Sequence, residues 1–156
     1  MAFPIDYSGK IIWSREAKSD AEDYRARFLD KVAAELEIIK AKDVLVRDNR
    51  VAFSGSMLRS VSNWNMLVPV TRGHIKVNVT GDSVKVIYNL NFKHFLVTIS
   101  ALILIGCSFI AFLDSTVPIG TRIGLFIPAL LWASAFNYLL TVIRFPALIK
   151  RVLKSV

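Results

Sequence analysis

Two stretches without a charged side chain set the terms for this chain. Residues 95–113 run for 19 positions, and residues 123–143 for 21, without Asp, Glu, Lys or Arg. A helix rises 1.5 Å per residue, so about 20 apolar residues cross a hydrocarbon core of about 30 Å. The first run holds 12 Leu, Ile, Val or Phe residues. At about −0.3 to −0.6 kcal/mol each, they favour insertion by roughly 4–7 kcal/mol. The second run holds 11 such residues, offset in part by Pro128 and Asn137. Kept in water, two helices apolar on every side would each need a surrounding layer of protein. The preceding 92 residues are too few to supply it. The sequence therefore predicts a two-helix transmembrane hairpin over residues 93–146, with helices at about 95–113 and 123–143. Its short connection contains Pro118 and Gly120 and allows only an antiparallel pair.

The net charge of +8 invites a nucleic-acid reading, but its placement opposes one. Residues 1–92 carry 14 Lys or Arg against 11 Asp or Glu, a well-mixed +3, whereas residues 93–156 carry 6 against 1. A nucleic-acid binder concentrates its excess on the folded domain. Here the excess flanks the apolar runs, so the expected partners are membrane lipids and not nucleic acid. Lys76, Lys85 and Lys93 precede the first run, Arg144, Lys150, Arg151 and Lys154 follow the second, and Arg122 alone lies between. Lys and Arg in short flanks set orientation. A two-pass protein with both termini cytoplasmic is expected, with Lys93, Arg144, Lys150, Arg151 and Lys154 at the membrane surface. Leu148, Ile149, Val152 and Leu153 alternate with the last three cations, so residues 147–156 read as a basic amphipathic tail at the interface. No basic segment with a sustained apolar stretch opens the chain, so the first membrane helix is expected to act as its own insertion signal.

Residues 1–92 read as a membrane-proximal α+β domain. Residues 1–13 are expected to be irregular because of Pro4 and Gly9. Ser14 suits a helix N-cap, and Tyr24, Phe28, Val32, Leu36 and Ile39 form one stripe at helical spacing. A long helix over about 15–41 is predicted. Its stripe should bury against an antiparallel meander of four or five strands. Val44, Val46, Val51 and Phe53 flank a turn at Asp48 and Asn49. His74 to Thr80 and Ser83 to Leu90 alternate in period two around Gly81 and Asp82, a type II′ turn signal. That turn sets Val79 opposite Val84 and Val77 opposite Val86, giving one apolar face. Residues 57–62 and 64–70 are candidates for one or two further strands, with Pro69 marking an edge or a break.

No pattern carries chemistry. Neither GxxxxGK[ST] nor GxGxxG occurs, and no Ser lies in a GxSxG elbow or an SxxK setting. His74 and His94 have no cysteine or carboxylate at ligand spacing and read as a wet sheet face and a headgroup-level residue. Cys107, the single cysteine, lies inside the first apolar run and reads as a packing residue. No catalytic residue, metal or cofactor is expected. The feature that points to function is small residues on helix faces. Ser100, Ala101, Cys107, Ser108 and Ala111 share an arc of the first helix, while Ala129, Ala133, Asn137 and Thr141 recur every four residues on the second. Such faces let helices approach closely in lipid. The expected function is a non-catalytic membrane subunit. It docks into a larger complex, or with copies of itself, through the helix hairpin and contacts partners with its cytoplasmic domain. The alternative is a membrane-anchored sensor or binding module whose α+β domain holds a small ligand or lipid.

Overall fold

The computed structural model describes residues 5–14, 20–55, 65–112 and 118–156. In chain order these form β1 (Asp6–Ser14), α1 (Ala21–Ile38), β2 (Lys42–Arg47), β3 (Arg50–Ser54), β4 (Arg72–Thr80), β5 (Ser83–Asn91), α2 (Lys93–Phe112) and α3 (Ile119–Ser155). The strands make one antiparallel sheet of order β1-β5-β4-β3-β2. The β4–β5 hairpin has the register its alternation predicts, with Val79 opposite Val84 and Val77 opposite Val86. Gly81 supplies the positive φ of its turn, at 54°. The turn at Asp48 also forms, with Val46 opposite Val51. Val51 and Phe53 are buried, but β2 is the edge strand, and Val46 on it stays 43% exposed.

The opening segment is not irregular. It is the other edge strand, and it pairs with β5 along its whole length, from Asp6 opposite Asn91 to Ser14 opposite Ser83. Tyr7, Gly9, Ile11 and Trp13 face the helices, an alternation hidden by a glycine on the inner face and Ile12 on the outer. Gly9 is required there because the Tyr88 ring lies directly over its Cα, and Gly73 lies under Phe53 in the same way. A side chain at either position would displace an aromatic ring. Ser14, read as a helix cap, therefore ends a strand. Among the described residues 65–70 the chain turns and forms no strand, so the fifth strand is β1. The candidate strand at 57–62 lies outside the described residues.

The N-terminal helix is shorter than predicted, 18 residues and not the span 15–41. Pairing of β1 takes the residues before it. At the other end, Lys40 adopts a left-handed φ of 66°. The amide of Ala41 donates to the carbonyl of Leu36 at 2.8 Å and that of Lys40 to Glu37 at 2.9 Å. This closing pattern satisfies two orphan carbonyls and stops the helix. The predicted stripe is correct: Tyr24, Phe28, Val32 and Leu36 are buried, with Leu29 beside them.

The largest departure is at the C-terminus. α3 runs for 37 residues, about 55 Å, straight through Pro146. Phe145, Leu148, Ile149, Val152 and Leu153 are buried in the same core as α1 and the sheet. The segment is not a tail at the lipid interface. Proline inside a helix costs about 3 kcal/mol, but five side chains each contribute about 1.5–3 kcal/mol on burial. Burial wins. The periodicity of 148, 149, 152 and 153 marked an amphipathic helix correctly, and its apolar face met the sheet.

This also overturns the transmembrane hairpin. Among the described residues, α3 alone is long and apolar enough to cross a membrane. Its apolar span is Leu130–Ser155, 26 residues with mean hydropathy 1.2, while the described side chains of α2 provide a shorter apolar stretch, Lys93–Gly106. The second charge-free run is no separate membrane helix. It is the middle of α3, whose last turns belong to the domain core. A two-pass topology with cytoplasmic termini is accordingly not supported.

Candidate membrane-facing surface

The join between domain and helices is packed and hydrogen-bonded. Phe92, fully buried, meets the ring of Tyr138 at 4.6 Å. The amide of Lys93 donates to Asn91 Oδ1 at 3.1 Å, and that of His94 to Thr71 Oγ1 at 2.9 Å. Asn91 of β5 and Thr71, just before β4, thus cap the first turn of α2. Thr141, fully buried, donates through its hydroxyl to the carbonyl of Met66 at 2.6 Å and lies 3.1 Å from that of Asn137. One turn on, Phe145 sits between Phe53 and Tyr88, with ring centroids 5.9 and 5.4 Å away. Burial, and then the hydrogen bond with Tyr7, raise the Tyr88 phenol well above its ordinary pKa.

Beyond this join the helices carry apolar side chains that nothing covers. On α2 these are Val97, Leu102, Leu104, Ile105 and Phe109, and on α3 Leu131, Trp132, Phe136, Leu139 and Ile143. Exposure runs from 45% at Leu102 to 77% at Trp132. Full burial of such a side chain is worth about 1.5–3 kcal/mol, so ten of them about half exposed leave on the order of 10 kcal/mol unrealised in water. Soluble monomers rarely leave apolar patches of this extent uncovered. A polar collar bounds the surface at the domain end. Lys93 and His94 open α2, Arg144 stands exposed where α3 enters the core, and Arg72 and His74 face outward from β4.

The residues singled out by sequence distribute as follows. Ser100, Ala101 and Ser108 are exposed on α2, and the Ser108 hydroxyl is turned back to the Leu104 carbonyl at 2.9 Å. Asn137 is half-buried on α3. The side chains of Ala111, Ala129 and Ala133, and that of Cys107, lie outside the described set. Lys150, Arg151 and Lys154 are exposed, but along the flank of the domain, where Lys31 donates to the carbonyl of Ser155 at 2.5 Å. Lys150 is six residues past Arg144 on the same helix, a rise of about 9 Å from the collar. Lys93 and Arg144 do lie at the collar.

Sequence reasoning missed one assembly. Arg72, His74, Lys93 and His94 line a common cavity of about 430 Å³. The period-two alternation from His74 put that residue on the outer face, but only the strand's extension to Arg72 and the capping of α2 by Thr71 bring Arg72, Lys93 and His94 to it. Among the described residues, no three His, Cys, Asp or Glu side chains group as metal ligands. No protein-family model matches the chain, and neither a curated protein nor a solved structure does.

Proposed function

We propose that this chain is a non-catalytic membrane subunit, anchored through the apolar stretch of α3, with its α+β domain held at the membrane surface to contact other subunits. The observation that carries this reading is the uncovered apolar surface on α2 and α3, bounded by Lys93, His94 and Arg144 and fixed to a packed core through Phe92, Thr141 and Phe145. Lipid covers such a surface without residual cost, and cations beside it meet the headgroups. Close approach of another helix needs small side chains on an open face. Ser100, Ala101 and Ser108 provide one on α2.

The reading as a binding module differs in where a ligand would sit. The described space between α1 and the sheet holds Phe28, Val32 and Leu36 together with Phe145 and Ile149, all fully buried. That packing favours the subunit reading for the interior and leaves the outer sheet face for any ligand.

The test is extraction of the full chain from native membranes. Alkaline carbonate and high salt should leave it in the membrane fraction, and mild non-ionic detergent should release it together with its partner subunits. Release by carbonate alone would refute the membrane anchor. Release by detergent as a lone monomer would refute the subunit role.

A further inference from the structure

We infer that the cavity between β4, β5 and the first turn of α2 is a binding site for a phosphate group carried on a hydroxylated alcohol, as in an anionic phospholipid headgroup. α1 and the end of α3 pack on one face of the sheet, and the cavity, about 430 Å³, lies at the end of the opposite face beside the start of α2. That volume is within the range of small-molecule sites.

The neutral polar groups of its wall are already committed to one another. Asn91 Nδ2 donates to Asp6 Oδ1 at 2.8 Å, and its Oδ1 accepts from the amide of Lys93. Asn89 Nδ2 donates to Ser8 Oγ at 2.7 Å, and Thr71 Oγ1 accepts from the amide of His94. Besides Asp6, what remains to face the cavity is two cations and two imidazoles. Arg72, Lys93, His74 and His94 form no ion pair or side-chain hydrogen bond among the described residues. Guanidinium, ammonium and imidazole N–H groups together make a phosphate site, with Arg able to engage two oxygens at once.

Asp6 also lines the cavity, and a carboxylate opposes an anion. Its place in the sheet resolves the conflict. Asp6 is opposite Asn91 on one side of β5, and Arg72 is opposite Asn91 on the other. Two strand spacings, about 9–10 Å, separate them. The cavity therefore has a cationic side formed by β4 and α2 and an accepting side at β1. A phosphate on the first and a hydroxyl donating to the second match both. The membrane reading decides between a lipid and a soluble phosphate. Val97, one turn above Lys93 on α2, is 60% exposed and offers an acyl chain apolar contact directly above the headgroup.

The experiment uses the full chain in a neutral detergent, with backbone amide shifts of Arg72, Asn91, Lys93 and His94 as the readout. The probes are short-chain phosphatidylglycerol, short-chain phosphatidylcholine, glycerol 3-phosphate and inorganic phosphate. Phosphatidylglycerol should shift those amides in preference to phosphatidylcholine. The Arg72→Gln, Lys93→Gln double variant should weaken it by at least about tenfold, since both charged donors to the phosphate are lost. Lys85→Gln, at the far end of the same open face, should leave it unchanged. Equal binding of glycerol 3-phosphate would support the phosphate site and assign it a soluble ligand. Equal binding of phosphatidylcholine, an equal loss in Lys85→Gln, or no shift with any phosphate would overturn it. Carbonate extraction reports on the membrane anchor separately, so failure of that reading leaves the soluble-phosphate arms intact.

Discussion

Phe145→Ala should be the most damaging single truncation in the domain. The side chain is fully buried, and its ring lies 5.9 Å from Phe53 and 5.4 Å from Tyr88. Those two rings in turn rest on Gly73 and Gly9. Phe→Ala in a core costs about 3–5 kcal/mol, more where the site cannot collapse. Two aromatic pairs in the favourable 4.5–7 Å range are lost as well. A loss of about 4–5 kcal/mol is expected, a large part of the 5–15 kcal/mol that holds a typical domain. The assay is urea unfolding of the full chain in neutral detergent, followed by near-ultraviolet circular dichroism of the tyrosines. With m of about 2 kcal/mol/M, the midpoint should fall by roughly 2 M. Lys150→Gln, on the exposed side of the same segment, should stay within about 0.5 kcal/mol. Were residues 147–156 an interfacial tail, Phe145 would have no helix end packed beside it in the core and both variants would behave alike. A Phe145→Ala midpoint indistinguishable from that of the unaltered chain would refute the packing of α3 on the sheet.

Two backbone changes should act in opposite directions in the same unfolding assay. Lys40→Gly relieves a left-handed residue at the end of α1 and should stabilise by about 0.5–1 kcal/mol. Gly81→Val, at φ 54° with open space around the new Cβ, isolates the backbone term and should destabilise by about 1–3 kcal/mol. Tyr88→Phe tests the raised phenol. The folded state holds that proton more firmly than the unfolded chain, so its contribution is full below about pH 10 and is lost as pH rises beyond it. Midpoints at about pH 9 and about pH 11 should differ less in the variant than in the unaltered chain. On the proposed subunit reading, Ala101→Leu with Ser108→Leu should leave membrane anchoring intact but reduce co-purification with other subunits. Unchanged co-purification would remove the exposed face of α2 as the docking surface.

Local structure was legible in the sequence wherever one periodicity met one kind of boundary. The β4–β5 hairpin was legible to the residue, because alternating valines on both sides of Gly81 allow one register only. The stripe of α1 was legible for the same reason, and so was the abundance of apolar surface in residues 95–143. What an apolar face would meet was not legible. Val152 and Leu153 have the same spacing whether they cover a sheet or lie on headgroups, so the partner was decided by the open space beside α1 that only the assembled sheet creates. The length of α3 followed from that contact. Burial of five side chains outweighs the proline that should have ended the helix, and the competition is invisible within any local window. β1 escaped notice because Gly9 interrupts its pattern, and the reason for that glycine is a tyrosine 79 residues away in sequence. The cationic cavity is tertiary in the same sense. Residues 72 and 74 and residues 93 and 94 come together through a threonine that caps a helix and a strand pairing that places it there. Non-local contacts reward themselves only after the chain has folded, and for this reason the topology and the candidate site had to come from the structure.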